Sequence, residues 1–255
     1  METVPGRFTH RHFAVNLTSS CKLPMPFSSH RTKTVLLSFL SLVFILAGTC
    51  PAQSAPRNQV FTNAEHDGGN EFTIWGGYSP NSPKLIGVTE DRHLTMMGFG
   101  YARVLLAGNV IAWKFTIDTV PLILVSQPTF AGTEIAQPSR VPTGFRSLLG
   151  RRTTYGIGLM PVGFQFNFHP RKRIQPVAGI NGGFAYFSSR DVPVPASANF
   201  NFMFSAGPGV QIFTSPSRSI TLGYRFHHIS NADTGNPFNP GIDSNFFYAA
   251  YSFHH

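Results

Sequence analysis

From about residue 70 to the C-terminus, apolar and aromatic positions recur in short segments separated by clusters of Gly, Pro, Asn and Ser. Eight segments stand out: about Glu71 to Tyr78, Leu94 to Leu106, Val110 to Leu124, Thr154 to Phe168, Gln175 to Phe187, Asn199 to Phe213, Ser219 to Ser230 and Asn245 to Phe253. Alternate residues of an extended chain share a face. In the seventh segment Leu222, Tyr224, Phe226, His228 and Ser230 have one parity, and Thr221, Gly223, Arg225, His227 and Ile229 the other. The first set is aromatic and apolar until its end, as expected of a lipid-facing side. The second is small, basic and polar, as expected of an enclosed interior. In the eighth segment Asp243, Asn245, Phe247, Ala249, Tyr251 and Phe253 share the aromatic parity.

The links between segments alternate in length. Those from Ser79 to His93, Val125 to Thr153, Ser188 to Ala198 and Asn231 to Ser244 are long. Those around Gly108, Pro170 and Pro216 are short. Short turns at one end and long loops at the other, with an even strand count, are the habit of bacterial outer-membrane barrels. No apolar run after residue 55 reaches the length of a spanning helix. The expected fold is therefore all-β: an eight-stranded antiparallel outer-membrane β-barrel. Its interior is filled by side chains and is not a pore.

Composition agrees. Only 12% of the 255 residues are charged, against 25 Phe and 7 Tyr, which is sparse for a water-soluble domain. His30 to Lys33 form a basic stretch, Val35 to Gly48 an apolar run, and Cys50 to Ala55 a region of small residues. That order predicts a secretory signal. The chain is thus expected to divide into residues 1–54, removed on export, and a single barrel domain over 55–255. Cys21 and Cys50 both lie in the removed part, leaving no disulfide or thiolate site. From residue 56 onward there are 15 Lys and Arg against 10 Asp and Glu, a net of +5. This suits an anionic membrane surface; no basic helix or basic-aromatic motif points to nucleic acid.

The candidate chemistry lies at the last hairpin. His228 and Ser230 share a face two residues apart, an imidazole beside a hydroxyl, the minimum for a base-activated nucleophile. Asp243, across the turn, is a candidate third group to orient the imidazole; Asp233 is an alternative carboxylate. No His, Asp and Glu grouping has metal-ligand spacing, and His254 and His255 are read as lying beyond the last strand. Arg146, Arg151 and Arg152 in the second long loop could meet lipid phosphates, although a solvated loop explains them as well.

His228-Ile229-Ser230-Asn231-Ala232, followed by Asn239-Pro240-Gly241-Ile242-Asp243-Ser244, resembles the PagL family of lipid A 3-O-deacylases. The strong match covers about twenty residues. The resemblance implies an eight-stranded barrel integral to the bacterial outer membrane that acts on lipid A or lipopolysaccharide without a cofactor. It implies Ser230 as nucleophile, His228 as general base, Asp243 as orienting acid and Asn231 as oxyanion donor. Asp243 stands where the family usually has Glu, one methylene longer. Two other readings remain open from the residues: a structural or adhesive outer-membrane barrel without catalysis, and a secreted lipocalin-like barrel that binds an apolar ligand.

Overall fold

The computed structural model describes residues 65–131, 147–234 and 239–255. The expected signal segment with Cys21 and Cys50, the residue Arg146 and the hairpin tip at 235–238 lie outside the described residues. Eight strands follow one another: β1 (Asn70–Ser79), β2 (His93–Ala107), β3 (Ile111–Ala131), β4 (Ser147–Phe168), β5 (Ile174–Phe187), β6 (Phe200–Ser215), β7 (Arg218–Ser230) and β8 (Ile242–His254). Each pairs antiparallel with the next, and β8 pairs back onto β1, so the sheet closes into a barrel. Within the closed part of the sheet no strand edge is left unpaired, which a lipid environment requires of a sheet.

Five of the eight strands begin and end within two residues of the expected segments. The largest departure is in β3 and β4. They run on together past the expected ends, pairing Ser126 with Thr153 and Pro128 with Arg151. The expected loop from Val125 to Thr153 is therefore in large part a two-stranded extension. Pro128 and Gly150 are residue types that weaken a strand interior. In the structure a register shift between Thr129 and Phe130 accommodates them; bulges and paired edges are where strands tolerate such residues.

The alternation has the expected hand. On β7, Ser219, Thr221, His227 and Ile229 are buried within the barrel, whereas Leu222 is half exposed on its outside. On β8, Phe247 and Phe253 are exposed, whereas Phe246, Ala250 and Ser252 are buried. The outer surface carries exposed apolar residues on every strand, among them Phe72, Phe99, Trp113, Ile157, Phe184, Phe204, Leu222 and Phe247. Aromatic pairs link neighbouring strands across it, such as Trp113 with Phe166 and Tyr224 with Phe247. Such a surface is stable against acyl chains and not against water.

The interior departs from the expected small, basic and polar filling. At the periplasmic end it is polar. Lys114 lies fully buried between Glu65 at 2.6 Å and Glu71 at 2.9 Å, and Asn167 donates to Glu65, Gln175 and Gln211. Toward the outer end an apolar cluster replaces it, including Leu94, Met96, Ile123, Phe187, Met203, Ile229, Ile242 and Phe246. Between the two, Arg225 lies over the rings of Tyr248 and Trp75 and 3.8 Å from Asp118. The apolar plug stiffens the end of the barrel on which the candidate residues sit.

Candidate functional site

The turn between β7 and β8 sets the site, because it fixes which residues face one another. β8 begins at Ile242, three residues earlier than the sequence suggested, so Asp243 is a strand residue and not part of the turn. In the resulting register His228 is directly opposite Asp243. Directly opposed residues have Cβ atoms about 4.5–5.5 Å apart, close enough for a short side chain to reach. Nδ1 of His228 and Oδ1 of Asp243 are 2.6 Å apart. The missing methylene relative to glutamate is thus no obstacle to an imidazole–carboxylate hydrogen bond.

Asp243 has outward parity, yet it is fully buried. What covers it is the first outer connection, residues 80–92, folded against the start of β8. The backbone N–H groups of Leu85, Ile86 and Gly87 donate to Oδ2 at 2.8, 2.7 and 2.9 Å. Three successive amides converging on one oxygen form an anion-binding concavity. Such donors favour the charged carboxylate. The loop is tied down on either side: Val88 N–H donates to the Pro240 carbonyl at 2.6 Å, and the Thr89 hydroxyl to the Gly241 carbonyl at 2.7 Å. Ser82 closes the loop on itself through the Thr89 carbonyl.

Two glycines make this packing possible. A Cβ on Gly87 would lie 2.7 Å from the Gly241 oxygen. A Cβ on Gly241 would lie 2.6 Å from Cε1 of His228. Gly241 also has a φ of 59°, which disfavours any other residue. The His228 ring therefore lies against bare backbone, with Nδ1 on the acid.

Ser230, the last residue of β7, lies on the same outward face as His228, about 6.6 Å further along at the usual rise of a strand. No hydrogen bond joins His228 to Ser230 in the structure. Catalytic contacts are often looser without substrate. On β6 the residues opposite His228 and Ser230 are Phe204 and Phe202, both exposed outward. The nucleophile candidate thus borders an aromatic strip.

Asn231 is held elsewhere. It is fully buried; its Nδ2 donates to Ser197 Oγ at 2.7 Å and its Oδ1 accepts the Asp233 N–H at 3.1 Å. Its own N–H donates to Asn239 Oδ1 at 3.1 Å. Ala232 and Asp233, with φ of 48° and 59°, then turn the chain. Asp233 is exposed and has no bond to His228, so the structure brings Asp243, and not Asp233, to the imidazole. His227 points the other way and is buried inside the barrel. His254 belongs to β8 and is also buried, in contrast to its expected place beyond the strand; the inward parity of β8 continues one residue past Phe253. Arg151 is bonded to Asp91 and Ser126, and Arg152 is paired with Asp191. Both guanidinium groups are neutralised within the protein. Among the described residues no group of three or more His, Cys, Asp or Glu could hold a metal ion.

The loop amides, the Ser197 contact and Asn239 as a partner of Asn231 had no sequence signal. Backbone donors leave no trace in residue type, and the partners lie in other loops. Only Asn239-Pro240-Gly241 was visible, as part of a motif.

The family model "Lipid A 3-O-deacylase (PagL)" matches residues 130–252, a stretch that includes His228, Ser230, Asn231 and Asp243. The chain is similar to the outer membrane enzyme PagL, with 16% identity over 72% of this chain and 97% of that one, at a TM-score of 0.44. It is also similar to Neisserial surface protein A (12% identity, 73% and 97% covered, TM-score 0.42). A third similar structure is Ail, the attachment invasion locus protein of Yersinia pestis (13% identity, 74% and 100% covered, TM-score 0.38). No curated protein matches the chain. With its closed eight-stranded sheet and apolar exterior the protein is an integral outer-membrane barrel. Over residues 130–252 that barrel is similar to the lipid A 3-O-deacylase (PagL) family.

Proposed function

We propose that this protein is a serine ester hydrolase that removes an ester-linked acyl chain, the 3-O-linked one, from lipid A in the outer leaflet. The observation that carries the reading is the His228–Asp243 hydrogen bond on the outside of the barrel, two residues from an outward serine at the extracellular end. A hydrolase of a membrane lipid needs its nucleophile at the lipid-facing perimeter, near the headgroup boundary where acyl esters lie. An aqueous lumen would not serve.

In this reading Asp243 accepts a hydrogen bond from Nδ1–H of His228 and so leaves Nε2 as the base. In this reading the Ser230 side chain turns toward Nε2 when substrate is bound. Ser230 Oγ attacks the ester carbonyl while Nε2 takes its proton. The tetrahedral intermediate collapses, the sugar alkoxide leaves and takes that proton, and water repeats the sequence on the acyl-serine. Phe202 and Phe204 give the acyl chain an apolar surface beside Ser230. The oxyanion role expected of Asn231 is taken in a modified form. Its Nδ2 donates to Ser197 Oγ and its N–H to Asn239 Oδ1, so in this reading Asn231 fixes the turn after the nucleophile and exchanges one of these bonds for the oxyanion. Removal of one such donor costs ~2.7–4 kcal/mol of transition-state stabilisation. The export of the chain with loss of residues 1–54 is part of the same reading.

The test is mass spectrometry of lipid A after incubation with the purified protein and with Ser230→Ala. Loss of one acyl chain with the first and none with the second is expected. Equal deacylation by both proteins would remove Ser230 as the nucleophile, and deacylation by neither would leave a structural or adhesive barrel as the better reading.

A further inference from the structure

A carboxylate on the lipid-facing side of a barrel is a costly group to keep charged. Burial of an ion without partners is strongly unfavourable. Asp243 is fully buried on that side, and it is compensated from two directions. His228 satisfies Oδ1, and the amides of Leu85, Ile86 and Gly87 satisfy Oδ2. The loop that supplies the amides has an unusual distribution of side chains. Ser82, Gly87 and Thr89 are buried toward the barrel, whereas Leu85 is 75% exposed, Ile86 61% and Val88 56%. These are among the most exposed large apolar residues of the described chain. The same two residues, Leu85 and Ile86, donate to the acid through their backbone and present their side chains outward.

We propose that loop 80–92 is a positioning element of the site: its amides hold Asp243 on His228, and its outward Leu85, Ile86 and Val88 side chains dock into the acyl region of the outer leaflet. The site is thereby completed by the bilayer. The occupant of the apolar loop face is lipid because that face continues the apolar outer band of the barrel. Asp243, beneath it, shares the outward parity of Phe247, and Phe247 is exposed in that band. Lys84 and Glu90, which flank Leu85 to Val88 along the chain, are exposed and paired to one another. In water three exposed aliphatic side chains favour leaving the docked position. In lipid they favour keeping it. The short acid also makes the loop necessary: with its Oδ2 unbound, the carboxylate is free to turn from the imidazole.

This inference rests on the proposed hydrolase only for its activity readout; a second readout is independent of it. The barrel is prepared as wild type, Gly87→Ala and Leu85→Ser/Ile86→Ser, each in phospholipid nanodiscs. Gly87 has no unusual φ, so an added methyl acts by its clash with the Gly241 backbone and displaces the loop. The first measurement is the His228 Nδ1–H proton resonance, identified by its loss in Asp243→Asn. It is expected in wild type and absent or exchange-broadened in both loop variants. The second is hydrolysis of dispersed lipopolysaccharide. Both variants are expected to lose tenfold or more in kcat with KM within about twofold, the pattern of misplaced catalytic groups. Folding is checked by the heat-modifiable mobility of the barrel. Asp243→Glu in the Gly87→Ala background, with its longer reach, is expected to restore part of kcat. Folded loop variants that keep the resonance overturn the proposal, and so does wild-type kcat in an active protein. A wild-type protein that shows the resonance but no hydrolysis overturns the proposed function and leaves the positioning role of the loop to the resonance in the variants.

Discussion

The barrel contains two groupings of serine, histidine and acid, and they make an instructive pair. One is outside: Ser230, His228 and Asp243. The other is inside, at the periplasmic end: Ser219, His254 and Glu71. In the inner group the serine and histidine are hydrogen-bonded, with Ser219 Oγ 2.7 Å from His254 Nε2, and Glu71 Oε2 is 3.8 Å from the other ring nitrogen. By its serine–histidine bond alone the inner group looks the better prepared. Its members are nevertheless closed in. Ser219 is fully buried and also accepts from Gln211, and Glu71 is occupied by Lys114. In the outer group the acid–imidazole bond is short and the serine is free to meet a substrate from the lipid side. A reactive constellation needs an approach path as well as a set of distances, and only the outer group has one.

Four experiments test this contrast. The largest effect is expected from the two serines. Ser230→Ala should lower lipid A deacylation by about 10⁴-fold or more. Ser219→Ala should leave the rate unchanged within the error of the same mass-spectrometric time course. Reversal of these results would move the site inside the barrel. Next come the two acids. Asp243→Asn removes the group that holds the imidazole and should lower kcat by about 10³–10⁴-fold with the barrel intact. Glu71→Gln weakens the pairing of a buried lysine. Because Glu65 still pairs with Lys114, it should cost less than the ~3–5 kcal/mol of a fully broken buried pair, read by denaturant unfolding in micelles, with little change in kcat for the fraction that is folded.

A smaller loss is expected from Gly241→Ala. The methyl would press on Cε1 of His228 and force a left-handed backbone on alanine. A displacement of about 1 Å in the imidazole corresponds to about 10²-fold in rate, measured as kcat with folding verified in parallel. The smallest effect is expected from Asp233→Asn. This exposed turn residue has no bond to His228, and the variant should match wild type within about twofold. A large loss would show that the turn acid, and not the strand acid, orients the base.

Much of the fold was legible because it rests on two local signals. Residue parity gave the face of Leu222, Tyr224, Phe226, His228 and Ser230, and loop length gave the end of the barrel at which they emerge. Legibility failed where local chemistry was overridden by pairing. Pro128 and Gly150 look like loop residues, yet β3 and β4 carry them through a register shift. Ile242 and Asp243 follow a glycine turn and look like its continuation, yet pairing with β7 draws them into β8. The apolar plug beneath the site was missed for a similar reason. The inward set of β7 is mixed, and the aliphatic character appears only when Leu94, Met96, Phe187 and Phe246 from other strands are brought to the same level.

An eight-stranded barrel, the outward faces of β7 and β8, and the residue types at the last hairpin can all be read along the chain. These follow from a two-residue period and from a motif within one stretch of chain. Only the tertiary structure decided that Asp243 reaches His228 and that Asp233 does not. It also decided that Asn231 is occupied by Ser197 and that residues 85–87 of a distant loop hold the acid. Strand register and backbone amides decide these points. Register depends on where pairing begins, and an amide is the same for nearly every residue, so neither is written in side-chain identity.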